Sequence, residues 1–127
     1  MLLLDTHVFL WALSRSARLS PEVRALLEDP RVPVFVSAVS AWECAIKRQL
    51  GRLRIAEGID LVDAVTASGF AELPVSGAHA ARTEALSDIH RDPFDRLLIA
   101  QSLEEGLTLV TSDEHIHAYP DVEVVRP

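Results

Sequence analysis

The sequence predicts an α/β domain: a parallel sheet covered on both faces by helices. Two observations carry this. Short apolar runs alternate with helical segments along the whole chain, the order that builds a parallel sheet with crossover helices. The first two runs, Leu2–Leu4 and Val34–Val36, are also apolar at every position rather than at alternate ones, as in strands buried on both faces.

Leu2-Leu3-Leu4, ended by Asp5-Thr6, is the first strand. Val8 to Leu13 is helical, with Phe9, Leu10 and Leu13 on one side. Ser20-Pro21-Glu22 opens a second helix, Ser20 as N-cap and Pro21 in the first turn, where its missing N–H is no loss. That helix stops near Asp29, ahead of Pro30. Val34-Phe35-Val36 is the second strand. Ser37 or Ser40 opens a third helix running to about Leu50, with Gly51 as its stop. Val39, Trp42, Ile46 and Leu50 form its apolar stripe, which is expected to face the core. Glu43 sits at the stripe's edge, one turn before Lys47. It reads equally well as an i,i+4 ion pair or as an acid aimed into a cleft.

Arg52 to Glu57 connects, with weak strand character. Ile59 to Ser68 is a short amphipathic helix ended by Gly69, and Phe70 to Val75 a third strand. Ser76 caps a helix through about Leu86, and Ser87 to Arg91 is a loop. Asp92-Pro93 then opens a helix ending at Glu105-Gly106. Leu107 to Val110 is a strand running into Thr111-Ser112-Asp113, and Val122 to Val125 is the last strand.

At 127 residues, with no repeat or long linker, one domain spans 1–127. No apolar run approaches a bilayer span, and Asp5 interrupts the N-terminal run too early for a signal peptide. No membrane association is expected. The single cysteine, Cys44, excludes an internal disulfide, fits a reducing cytoplasm, and reads as a small buried helix residue. The net charge of −7 counts against a general nucleic-acid coater and permits an acidic metal site. Basic residues do cluster: Lys47, Arg48, Arg52 and Arg54 in the centre, Arg91 and Arg96 late.

The chemistry concentrates in His90-Arg91-Asp92-Pro93-Phe94-Asp95-Arg96-Leu97-Leu98-Ile99-Ala100-Gln101. At about 100° per residue, Asp95 lies within the apolar arc of Phe94, Leu98, Ile99 and Leu103. A carboxylate there needs a partner. Two strands run straight into acids, Asp5 and Asp113, and function in such sheets gathers at strand carboxyl ends. By the simplest strand–helix rule, Asp95 opens a helix that starts at the opposite edge, so its place beside Asp5 and Asp113 does not follow. If Asp5, Glu43, Asp95 and Asp113 converge, they require a cation. Oxygen-only ligands select Mg²⁺ or Mn²⁺. Such a site suits phosphoryl chemistry with a metal-activated water and no side-chain nucleophile. His115 and His117, near a strand end or in a loop, lack the spacing of a zinc pair; His7 and His90 adjoin the acids.

Leu-Leu-Leu-Asp-Thr-His (2–7), Ser-Ala-Val-Ser-Ala-Trp-Glu (37–43), the late stretch 90–101, and Leu-Val-Thr-Ser-Asp (109–113) resemble the PIN-domain family, and within it the VapC-type ribonuclease toxins of type II toxin–antitoxin systems. The resemblance spans essentially the whole chain. It implies a three-layer α/β/α fold with a central parallel sheet and acids that converge in one pocket. By motif, Asp5 and Asp95 resemble the principal metal ligands, Glu43 the helical acid, and Asp113 a fourth acid acting at longer range or through water. Thr6, Thr111 and Ser112 resemble polar supports, and Arg91 and Arg96 lie where they would position RNA. Asp92 reads mainly as the N-cap. The implied activity is a Mg²⁺-dependent endoribonuclease, homodimeric and silenced by an antitoxin that places a basic side chain in the acidic pocket. The alternatives are a receiver-type phosphoacceptor module and a non-catalytic binding protein on the same fold. The first needs an acceptor aspartate after a central strand and a lysine after a late one; Ser37-Ala38 and Ser112-Asp113 stand there instead.

Overall fold

The computed structural model describes residues 1–55 and 58–127. Among these residues five strands form one parallel sheet: β1 (Leu2–Leu4), β2 (Val34–Ser37), β3 (Ala71–Leu73), β4 (Thr108–Val110) and β5 (Val124–Val125). Their order is β3-β2-β1-β4-β5. Among the described residues seven helices connect them: α1 (Thr6–Ser14), α2 (Pro21–Glu28), α3 (Ala38–Gln49), α4 (Leu61–Ala67), α5 (Gly77–Arg82), α6 (Pro93–Glu105) and α7 (Glu114–His117).

The apolar residues of the central strands serve two cores. Leu2 and Leu4 point into one cluster with Val8, Phe9, Val23, Val34, Val36, Val65 and Val110. Leu3 points to the other, with Leu98, Ile99, Leu109, Ile116 and Tyr119. Successive strand residues face opposite ways, so a three-residue strand feeds both sides. The result is three layers, α/β/α, as the sequence implies. Pairing β1 with both β2 and β4 makes β1 the axis of the sheet. Chain order runs outward from it in both directions, so the crevice between the carboxyl ends of β1 and β4 is a topological switch point.

Helix punctuation follows the sequence closely. Ser20 accepts from Val23 N–H, Ser37 from Val39 N–H, and Asp92 from Phe94 and Asp95 N–H. Gly106 ends α6 at φ 65°, a left-handed conformation natural to glycine, and its N–H returns to the Ser102 carbonyl. The helix expected from Ser76 to Leu86 is α5 followed by a 3₁₀ turn at Thr83–Ala85. Residues 52–55 take no regular structure; Ala56 and Glu57, the end of the segment read as weakly strand-like, lie outside the described residues.

One expectation needs correction. The α3 stripe does not face the core as a unit. Val39 is buried, but Trp42 is 60% and Leu50 58% exposed, while Ser40 and Glu43 are buried. The helix turns a partly polar face inward because that face meets Thr6 of α1, which takes up both polar side chains.

Candidate functional site

β1 delivers Asp5 to the sheet edge. Its N–H donates to the Val110 carbonyl at 3.1 Å, tying the end of β1 to β4. Its carboxylate caps α1, accepting from Val8 N–H at 2.8 Å, and the Thr111 hydroxyl also serves it. Asp5 is buried, and that burial raises its pKa against those hydrogen bonds.

β4 delivers Asp113 to the same edge. Thr111, fully buried, accepts from Asp113 N–H at 3.0 Å, and Asp113 caps α7 by accepting from His115 N–H at 2.8 Å. Glu114–His117, expected at a strand end or in a loop, form the short helix α7.

Asp95 reaches the pocket, and the edge argument against it is corrected by geometry. Only Gly106 and Leu107 separate α6 from β4. A helix that turns so tightly into a strand runs antiparallel to it. It therefore ends at the strand's amino edge and starts at the carboxyl edge, where Asp5 and Asp113 lie. Burial pushes the Asp95 carboxyl up to about 6. A hydrogen bond from His90 opposes the rise, and the nearby Asp92 and Asp113 charges add to it. His90 Nε2 stands 2.8 Å from Asp95 Oδ2 and 3.4 Å from Asp113 Oδ2. The His90 imidazole thus bridges two acids, a role its sequence position alone did not reveal.

Glu43 comes from the inward face of α3 and is buried. Both its oxygens are engaged: Oε1 accepts from the Thr6 hydroxyl at 2.7 Å, and Oε2 from Lys47 Nζ at 2.5 Å. Ser40 Oγ, 3.0 Å from Thr6 Oγ1, completes that cluster. Both sequence readings of Glu43 hold together, since the i,i+4 pair with Lys47 itself faces the cleft.

These groups line a cavity of about 270 Å³ bounded by Asp5, Thr6, His7, Glu43, Lys47, His90, Asp92, Asp95, Ser112 and Asp113. All four acids singled out in the sequence are there. A larger cavity of about 710 Å³, lined by Leu13, Leu27, Val34 and Phe70 among others, lies at the opposite edge of the sheet. It gathers no comparable set of acids, so the chemistry belongs to the smaller one. Arg96 is not part of it. Its guanidinium donates to the carbonyls of Thr83, Ser87 and His90 and to the Tyr119 hydroxyl. It fastens the loop before α6 rather than facing solvent as an RNA contact. Arg91 is exposed and does not line the cavity.

The donor set fits a hard divalent ion. Asp5 and Asp95 both line the cavity, and burial raises the pKa of each beyond what its hydrogen-bond donors offset, so a cation entering the cavity would relieve both. Glu43, with both oxygens occupied, is placed to act through water or through Lys47.

Comparison with known proteins agrees with this geometry. Residues 2–122 match the PIN domain. Ribonuclease VapC22 of Mycobacterium tuberculosis is 30% identical over 118 residues, covering 92% of this chain and 90% of that protein. Among solved structures, the DNA-bound VapBC of Salmonella typhimurium superposes with a TM-score of 0.76 at 14% identity, over 98% of this chain and 96% of that one. VapBC2 of Rickettsia felis, bound to a promoter DNA fragment, gives 0.74 at 14% identity, over 98% and 97%. The chain belongs to the PIN-domain family and is VapC-like within it.

Proposed function

We propose that this protein is a Mg²⁺-dependent endoribonuclease, the toxin of a VapBC-type toxin–antitoxin pair, acting in the cytoplasm. The observation that carries the reading is the convergence of Asp5, Glu43, Asp95 and Asp113 on one cavity at the switch point of the sheet. The likeness to a VapC ribonuclease supports it.

Asp5 and Asp95 hold the ion, with Asp113 beside them. A bound divalent ion supplies Lewis acidity toward a phosphate oxygen and lowers the pKa of water. The residues set the stage for that. Thr111 and the α1 N-terminus fix the Asp5 carboxylate at the cavity wall. Thr6 and Lys47 fix Glu43. Lys47, partly exposed at the rim, supplies positive charge for the phosphate backbone, and Ser112 lines the path. An antitoxin carrying a basic side chain would neutralise the same acids, and the exposed Trp42 and Leu50 on α3 suit burial in a homodimer. Among the described residues no helix is long and apolar enough to cross a membrane.

The test is RNA cleavage by purified, antitoxin-free protein with Mg²⁺, with Mn²⁺, with chelator, and with Asp95→Asn in parallel. Cleavage lost to both chelator and substitution is the expected result. Cleavage that survives both overturns the assignment.

A further inference from the structure

Beside the oxygen-rich pocket stands a cluster of different chemistry. His90 comes from the loop before α6, Asp113 caps α7, and His115 lies in the first turn of α7. His90 Nε2 is 3.4 Å from Asp113 Oδ2, and His115 Nδ1 is 3.3 Å from Asp113 Oδ1. One donor atom from each of the three residues lies within 4.8 Å of the other two. The imidazoles stack with centroids 4.8 Å apart and planes 14° from parallel, so they present ring nitrogens side by side.

In a tetrahedral site with metal–nitrogen bonds of about 2.0–2.1 Å, neighbouring ligand atoms stand roughly 3.3 Å apart. Each imidazole already stands about that far from a carboxylate oxygen of Asp113, His90 from Oδ2 and His115 from Oδ1, so a small rotation of the carboxylate brings one oxygen to both. The donors are two imidazoles and one carboxylate, a borderline set unlike the oxygen-only pocket next to it. Three protein ligands with the fourth side toward solvent is the arrangement of an open zinc site. His90 is held in place by its main-chain N–H, which donates to the Tyr119 hydroxyl at 3.0 Å. His115 is 67% exposed, so an arriving ion meets it first. His117 does not join, because its Nε2 is engaged by the Thr111 carbonyl at 2.7 Å.

We propose that His90, Asp113 and His115 form a second divalent-cation site, selective for a borderline transition ion such as Zn²⁺ over Mg²⁺, adjoining the acid pocket. Asp113 is the shared wall between the two. Filling the site through His90 Nε2 takes that nitrogen from Asp95, so an ion at the histidines changes the setting of the neighbouring acid. The site stands whether or not the pocket cleaves RNA.

The test uses chelator-stripped full-length protein titrated with Zn²⁺ alone, followed by calorimetry and by ring ¹⁵N–¹H spectra of all five histidines. The expected result is one equivalent of Zn²⁺ that moves the His90 and His115 signals together and leaves those of His7, His79 and His117 in place. Mg²⁺ at the same concentration leaves the His115 signal in place, whatever it does to His90 through Asp95. His115→Ala, at an exposed position outside both cores, is expected to weaken Zn²⁺ binding at least about tenfold, the loss that even an outer-shell partner causes. Equal Zn²⁺ affinity in His115→Ala and wild type overturns the proposal. So does binding that leaves both rings unmoved, which assigns the ion to the carboxylates. Neither readout involves RNA, so a protein that binds Zn²⁺ here but cuts nothing refutes the nuclease reading alone.

Discussion

Replacing Asp95 with asparagine is expected to stabilise the metal-free protein while ending cleavage. In the folded chain the Asp95 carboxyl is pushed up to about 6 from 3.8, burial being the largest cause. Between those two values the native state keeps a proton that the unfolded chain has released. Stability therefore falls as pH rises through that window, and the whole penalty is present above about pH 6. A shift of about two units corresponds to about 3 kcal/mol. A fifth of the side chain remains open to water, so the expected range is about 1–3 kcal/mol. Asparagine carries no charge at any pH and keeps an oxygen for His90. The difference between variant and wild type should thus be near zero at pH 4 and full by pH 7.5. For a chain of this length each kcal/mol moves Tm by about 4 °C, giving a rise of roughly 4–12 °C. The assay is thermal and urea denaturation in chelator at pH 4 to 8. Added Mg²⁺ should then raise the wild type and leave the variant unmoved, with the wild-type response weakening below about pH 6 as protons compete at Asp95. A variant less stable than wild type at pH 8, or a difference that does not change with pH, would refute the reasoning.

Substitutions at four further positions probe the surroundings of the site. Thr6→Val removes the hydroxyl that serves buried Glu43; a loss of about 1–3 kcal/mol in urea denaturation is expected, restored by Thr6→Ser. Gln101→Leu breaks a fully buried bridge in which Ser37 Oγ donates to the amide oxygen at 2.6 Å and the amide nitrogen donates to the Pro74 carbonyl at 3.3 Å. A similar loss is expected, seen as a lower Tm with intact Mg²⁺ binding by calorimetry. Arg96→Ala should destabilise by about 1–3 kcal/mol yet leave the salt dependence of RNA binding unchanged, because its guanidinium is spent on loop carbonyls. Arg91→Ala should do the reverse, lowering the salt slope by about 0.7 with stability kept, as read by anisotropy in an Asp95→Asn background.

The elements that could be read in the sequence were those with local causes. Ser20-Pro21, Asp92-Pro93 and Gly106 mark helix ends by chemistry confined to a few residues, and the observed bounds follow them. What escaped was set by tertiary contact. α7 is four residues long, too short for any periodicity to show. On α3 the hydrophobic pattern pointed to Trp42, Ile46 and Leu50, but the inward face was chosen by Thr6 and the cleft, which take Ser40 and Glu43. His90 stood in the right stretch, but its bridge between Asp95 and Asp113 exists only once α6 and β4 share an edge. The place of Asp95 does not follow from the simplest strand–helix rule, but it does follow from the short α6–β4 connection: a helix that leads tightly into a strand begins where that strand ends.

The polar interior explains why these acids remain acids. Among the described residues no buried side-chain nitrogen or oxygen lacks a hydrogen-bond partner. The fold can therefore satisfy a buried polar group wherever it has one. At the cleft it does so for Glu43, with a hydroxyl and an ammonium on its two oxygens. It does not supply a fixed positive charge to Asp5, whose partners are a main-chain N–H and a hydroxyl, or to Asp95, which has one imidazole. Arg96 would be near enough in sequence to serve Asp95, yet it is turned to the loop carbonyls. Desolvation therefore outweighs the local donors at both aspartates, and their pKa values rise. A fold that neutralises one acid of the four and leaves two under-compensated has kept a place for positive charge from outside the chain, whether a divalent ion or the basic side chain of a partner.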